Sequence, residues 1–199
     1  MLQHILLGLI VGLTLSPGVG LTAEPDHEIH EELRALLKTA AEAINSNKFD
    51  DVLPVGAENL RITPITQEFC MNRQELSAYF AKYFGPGRKL RSLHITFEAD
   101  ALTELSPDKS WGLAYGKGLE DYTLNDGRVF PMPTRWTAVV AKEDDGKWRI
   151  RSMHIGTNFL DNPLINTIEN AVKQYAIGAG VIGVLVGLAL GFVIGRRRR

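Results

Sequence analysis

Apolar residues recur at helical spacing in some stretches of this chain and alternate with polar ones in others. In "DHEIHEELRALLKTAAEAINSNKFDDVL", Ile29, Leu33, Leu36, Leu37, Ala40, Ala43 and Ile44 fall on one stripe, which predicts an amphipathic helix. Asp26 stands at the expected N-cap, and acidic residues fill the first turn, where the helix dipole favours negative charge. "NRQELSAYFAKYFG" predicts a second helix, capped by Asn72 and stopped by Gly85-Pro86-Gly87. "LRITPI", between the two helices, reads as a short extended segment. Alternation then takes over. "SLHITFEADALTEL" is one predicted strand, ended by Ser106-Pro107-Asp108, and "WGLAYGKGLEDYTL" is the next, ended by Asn125-Asp126-Gly127. "RVFPMPTRWTAVVAKE" follows, then the turn Asp144-Asp145-Gly146 and "KWRIRSMHIGTN". Helices first and an antiparallel meander after them indicate the α+β class. Gly112, Gly116 and Gly118 within one strand predict a bend. A sheet bent in this way curls around the helices and leaves a cavity.

The two ends carry different patterns. Ile5 to Leu15 is an apolar run broken by Ser16, Pro17 and Gly18. It is short for a bilayer span and suits the core of a signal peptide, with cleavage expected after Ala23. Its leading segment has no Lys or Arg. Residues 1–23 are read as the signal peptide and 24–162 as the folded domain. "DNPLINTIENAVKQY" starts a helix at Pro163 behind an Asn162 cap, so 163–175 form a juxtamembrane helix. Ala176 to Ile194 is 19 residues without a charged side chain. At helical rise this run is roughly 28 Å long, near the hydrocarbon thickness. A transmembrane helix is therefore expected over 176–195, followed by a basic tail at 196–199. Basic residues beside a span stay cytoplasmic. The expected topology is single-pass in a bacterial inner membrane, with the domain periplasmic or extracellular and the C-terminus cytoplasmic. Gly183, Gly187, Gly191 and Gly195 repeat at GxxxG spacing along one helix face, a surface on which another membrane helix packs closely.

Composition narrows the partners. Of 199 residues, 22 are basic and 23 acidic, for a formal net charge of −1. That balance argues against nucleic acid. Cys70 is the single cysteine, so no internal disulfide forms. The sequence has no Asn-x-Ser/Thr glycosylation site.

The segment "TRWTAVVAKEDDGKWRIRSMHIGTN" resembles the terminal hairpin of the SnoaL-like branch of the nuclear-transport-factor-2-like (NTF2-like) superfamily. The matching residues are Arg135, Thr137, Asp145, Gly146, Trp148, Ile150 and His154, and Gly156 with Thr157 depart from the usual Ser after the His. Together with the helix and strand order, the resemblance covers roughly Glu28 to Phe159. It implies a cone whose functional groups line the concave face of the sheet. It leaves activity open, because this superfamily holds isomerases, dehydratases, cyclases, ligand carriers and assembly domains.

Alternation places Trp148, Ile150, Ser152 and His154 on one face of the last strand, and the resemblance implies that this face points inward. Arg135, Thr137 and Val139 share a face of the strand before it. Arg135, Thr137, Trp148, His154, Tyr115 and Asp100 are therefore the candidates for a ligand pocket. Arg and His in an apolar cup bind a carboxylate or polarise a carbonyl. The bland alternative pairs Arg135 with a sheet carboxylate and leaves both residues structural. Glu98, Asp121 and Tyr122 match no isomerase pattern. His27, His30 and Glu31 form a helix-start cluster, which more often caps than binds metal; neither a metal nor a cofactor is expected. The expected role is noncatalytic: binding a small apolar or carboxylate ligand, or assembly as a homodimer at the membrane. The alternatives are an isomerase- or dehydratase-like enzyme for a hydrophobic membrane-derived substrate, and a glycine-faced transmembrane helix that is itself the working element.

Overall fold

The computed structural model describes residues 25–197. The predicted signal peptide lies outside these residues, as do the last two arginines. Helix α1 spans His27–Asn45 and α2 spans Arg73–Tyr83, with a 3-10 turn at Phe49–Val55. The strands are β1 Gly56–Thr63, β2 Leu90–Ala99, β3 Glu104–Leu105, β4 Trp111–Leu124, β5 Val129–Lys142 and β6 Trp148–Thr157. Helix α3 runs from Pro163 to Arg197. The class is α+β, as expected: a curved sheet packed on the N-terminal helices, with a long apolar helix at the end.

The sheet order is β1-β6-β5-β4-β2, with β3 paired to β4. The sheet is mixed rather than purely antiparallel, because β1 lies parallel to β6. The helix α2 separates β1 from the meander and lets the chain enter the sheet in that direction. The single predicted strand over residues 92–105 is in fact two. Pairing with β4 runs from Leu90↔Leu124 to Ala99↔Gly116 and resumes only at Glu104↔Leu113. Residues 100–103 link these two stretches without ladder pairing.

One turn of the inner face decides the core. Leu93 of β2, Trp136, Ala138 and Val140 of β5, and Met153 and Ile155 of β6 are buried together. Against them pack Leu33, Ala40 and Ala43 of α1 and Leu76, Tyr79 and Phe80 of α2. Phe49 stacks on Phe80 with ring centroids 4.5 Å apart and touches Phe84 at 4.7 Å. The edge of β2 is closed by α1: Ile95 N–H donates to Asn45 Oδ1 at 2.6 Å, and Asn45 Nδ2 donates to the Ile95 carbonyl at 3.0 Å. A paired edge cannot recruit a foreign strand.

The helix starts follow the sequence in two cases and depart from it in one. Asn72 Oδ1 accepts the Glu75 N–H at 2.8 Å, while Glu75 accepts the Met71 N–H at 2.8 Å. Asn162 Oδ1 accepts the N–H groups of Leu164 and Ile165, each at 3.1 Å. Asp26 occupies the N-cap position of α1 but is left-handed (φ 54) and makes no cap bond. Its carboxylate accepts instead from Lys109.

The glycines of β4 act through space rather than through a hinge. A Cβ on Gly116 would sit 2.6 Å from Trp136 Cζ2, and one on Gly112 would sit 2.6 Å from Thr103 Cγ2. Both positions are filled by side chains from neighbouring segments. The hairpin turns need glycine for another reason, since Gly127 and Gly146 hold φ 88 and 77.

Candidate functional site

Six residues of the last two strand pairs were expected to line the cup, and the structure divides them. Arg135 and Thr137 alternate with the buried Thr134, Trp136 and Ala138, so they face outward. In β6 an extra residue intervenes. Val139 pairs with Ser152 but Val140 pairs with Ile150, which leaves Arg151 unpaired as a bulge. The bulge reverses the alternation. Trp148 and Ile150 point inward, then Met153 and Ile155 do, and His154 turns out to solvent. Arg151 reaches across to donate to the Asn59 carbonyl at 2.8 Å.

Tyr115, Thr137 and His154 thus form one cross-strand row, on the outer face of the sheet. Beside the row, Arg135 Nη1 donates to Asp100 Oδ1 at 3.1 Å, with a second, shorter bond between the same two groups. The Arg135 guanidinium holds the Asp100 carboxyl below its ordinary range. This is the structural pairing with a carboxylate, made in the open, where ion pairs contribute little. Of the six, only Trp148 is buried on the inner face, where its indole N–H has no hydrogen-bond partner among the described residues. His27, His30 and Glu31 do not converge. Glu31 accepts from Arg34 at 2.8 Å, His30 turns toward the interior, and no metal-competent cluster occurs among the described residues.

The inner face holds a cavity of about 570 Å³ between α1 and the sheet. Leu33, Leu37, Phe97, Trp136, Val140 and Met153 line its walls. His30, only 6% exposed, and Arg34 lie one turn apart on the helix that covers it. The loop after β2 supplies Ala101, Leu102 and Thr103 to its border. The one carboxylate on the border among the described residues, Glu98, is paired with Lys117 at 3.3 Å. The volume lies within the usual range for small-molecule sites, roughly 300–1,000 Å³.

Deeper in the cone lies a second cavity of about 80 Å³, lined by Tyr79, Ile95, Glu120, Tyr122 and Ile155 among others. Leu37, Phe97, Ile150 and Met153 line both spaces. Glu120 is 2% exposed. Its Oε2 accepts from the Tyr122 hydroxyl, while Oε1 and the nearby Thr134 hydroxyl have no partner among the described residues. Burial raises the Glu120 pKa above its ordinary value, against a smaller opposing pull from Tyr122 and Thr134. Burial and the neighbouring Glu120 also push the Tyr122 phenol upward. An unmet buried oxygen of this kind costs roughly 1–3 kcal/mol. Glu120 was not among the sequence candidates. The signal for it was present: Gly112, Ala114, Gly116, Gly118, Glu120 and Tyr122 share one face of β4, the face on which small residues make room for the core.

Helix α3 is long and apolar enough to cross a bilayer, and none of its residues is buried. No atom outside the helix lies within contact of the Cβ positions of Gly183, Gly187, Gly191 and Gly195.

No protein-family model matches the sequence, and no curated protein matches it as a relative. Solved structures share its fold. A Novosphingobium aromaticivorans protein bearing the name of a scytalone dehydratase superposes with a TM-score of 0.57 at 10% identity, over 66% of this chain and 85% of its own. A ketosteroid isomerase-like protein from Erwinia carotovora atroseptica gives 0.55 at 12%, over 65% and 96%. A Xanthomonas campestris protein bearing the name of a calcium/calmodulin-dependent protein kinase II association domain gives 0.53 at 19%, over 75% and 99%. At these identities the likeness supports the NTF2-like fold and says nothing of activity.

Proposed function

We propose that this chain is a bilayer-anchored NTF2-like domain that binds a small apolar molecule in the cup beneath α1. The observation that supports this reading best is the cavity of about 570 Å³ walled by Leu33, Leu37, Phe97, Trp136 and Met153. A core that served only to pack would close such a space, because apolar voids forfeit dispersion contacts. An enzyme would place a free carboxylate or imidazole against the reacting atoms. Here the border carboxylate Glu98 is engaged by Lys117, and His154 is outside the cup, which leaves the buried His30 as the one imidazole on the wall among the described residues.

Helix α3 serves as the anchor in this proposal, with Arg196 to Arg199 holding the tail on the cytoplasmic side and the domain on the periplasmic face. Anchoring raises the local concentration of an apolar ligand that partitions into the bilayer. Pairing of two copies is a second element, favoured by the exposed row on the outer sheet face and by the assembly name of one structural neighbour. The test is native mass spectrometry of the full chain released from lipid nanodiscs. A small molecule retained by the wild type and lost in Ala114→Phe, which fills the cup, is the expected result. Equal retention by both proteins, or none by the wild type over a panel of apolar probes, overturns the reading.

A further inference from the structure

The seam between β1 and β6 carries positive charge with no negative charge set against it. Both strands are irregular at the same place: Gly56 pairs with Ile150 and Arg61 with Ser152, while Arg151 stays unpaired. The excess in β1 brings the Asn59 carbonyl within reach of two side chains. Arg61 Nη1 donates to that oxygen at 2.9 Å and Arg151 Nη1 at 2.8 Å, so at most 5.7 Å separates the two nitrogens. Arg61 Nη1 is also held by the Leu60 carbonyl at 2.9 Å and by the Met71 carbonyl. A surface arginine ordinarily spreads over many rotamers. These two are pinned through one end, so the fold has already ordered them. Neither guanidinium has a carboxylate within ion-pair distance among the described residues. Glu58, next to Asn59, is taken by Arg73 at 3.1 Å. Glu75 accepts from the Met71 N–H and the Asn72 side chain.

We propose that Arg61 and Arg151 form a binding site for a phosphate monoester group at the β1–β6 seam. A guanidinium has N–H donors on three nitrogens, and the carbonyls engage only Nη1 of each arginine. Nε and Nη2 have no partner among the described residues, and together they make the fork that grips two oxygens of one anion. A phosphate monoester carries a charge of roughly −1.5 to −2 at neutral pH and three acceptor oxygens, which suits two cations held side by side. A carboxylate has one charge and two oxygens, and it satisfies only one of the forks. Arg61 is exposed and Arg151 half-buried, so the anion arrives from solvent. Neither arginine lines the cup or the deeper cavity. The site therefore goes beyond the apolar-ligand reading and stands without it.

The experiment is calorimetric titration of the full chain in maltoside micelles, which contain no phosphate, at low salt, where exposed charges are least screened. The probes are inorganic phosphate, dihexanoyl phosphatidic acid and acetate. The wild type is expected to bind both phosphates and to bind acetate at least tenfold more weakly. Arg61→Gln and Arg151→Gln should each weaken phosphate about tenfold or more, the worth of a charged hydrogen bond. The double variant should lose less than the two single losses combined, because both side chains hold one anion. Arg88→Gln, which removes the same charge elsewhere on the surface, should leave binding unchanged. Similar affinity for the two phosphates assigns the site to a free phosphate group. Tenfold tighter binding of phosphatidic acid, with the same losses in the variants, assigns it to a lipid headgroup. If a Gln variant does not fold, Arg151→Lys decides: it keeps the charge but lacks the fork, and it should weaken phosphate severalfold. Binding of neither phosphate, acetate bound as tightly as phosphate, or affinities unchanged in the Arg61 and Arg151 variants overturns the inference.

Discussion

Gly116→Ala tests the packing on which the cup depends. An added Cβ would lie 2.0 Å from the Glu98 carbonyl oxygen, 2.6 Å from Trp136 Cζ2 and 2.8 Å from Trp136 Cε2. Neither neighbour can give way cheaply. The carbonyl belongs to β2, whose register with β4 continues to Ala99↔Gly116. The indole is 3% exposed, donates to the Lys117 carbonyl at 3.0 Å and meets Phe97 edge-on at 5.9 Å. Overpacking of a filled core costs typically 1–3 kcal/mol. With a backbone atom on one side and a locked ring on the other, the expected loss is at the top of that range, about 3 kcal/mol. Trp136 also lines the cup, so apolar-ligand retention should fall with stability. The assay is urea denaturation of the full chain followed by tryptophan fluorescence. Gly156→Ala is the control, because a Cβ there meets nothing within 4 Å and should change stability by less than about 0.5 kcal/mol. A loss below about 1 kcal/mol in Gly116→Ala, or equal losses in the two variants, would refute the reasoning.

Three further outcomes are expected. Deleting Arg151 removes the extra residue and leaves Trp148, Ile150, Met153 and Ile155 in strict alternation on the inner face, so the domain should keep its cooperative unfolding transition, whereas inserting a second residue at this place should abolish it; loss of the transition in the deletion variant would show that the bulge is not a simple one-residue excess. Glu120→Gln should alter how stability depends on pH. Because the folded-state pKa of Glu120 is raised above 4.5, its neutral form stabilises the fold fully below that value, and the contribution is lost as pH rises through the folded pKa; denaturation midpoints of wild type and variant should therefore diverge progressively above pH 4.5, and a constant difference between them would contradict the placement. Arg135→Ala and His154→Ala should leave apolar-ligand retention unchanged, since both residues lie on the outer face; loss of retention in native mass spectra of either variant would return the site to that face.

Local chemistry in the sequence determined the elements. Helical periodicity marked α1, and Asn72 and Asn162 marked where α2 and α3 begin, because a cap bonds only to N–H groups two or three residues ahead. The Asp-Gly pairs at 126–127 and 145–146 marked the hairpin turns, and the run from Ala176 to Ile194 marked the long apolar helix, each through properties of a few adjacent residues. The faces were a different matter. Alternation reads correctly along β4 and β5, where no bulge intervenes, and would have pointed to Glu120 once the glycine-bearing face was taken as the inner one. It failed in β6 after Ile150. A single unpaired residue reverses every later side chain, and whether that residue is accommodated depends on β5 on one side and on β1, which shifts register at the same place, on the other. The parallel entry of β1, the break in pairing after Ala99 and the burial of the Glu120 carboxyl were likewise settled by partners far away in the chain. Only the tertiary structure decided them, because each is a choice between backbone pairings that the local sequence permits equally.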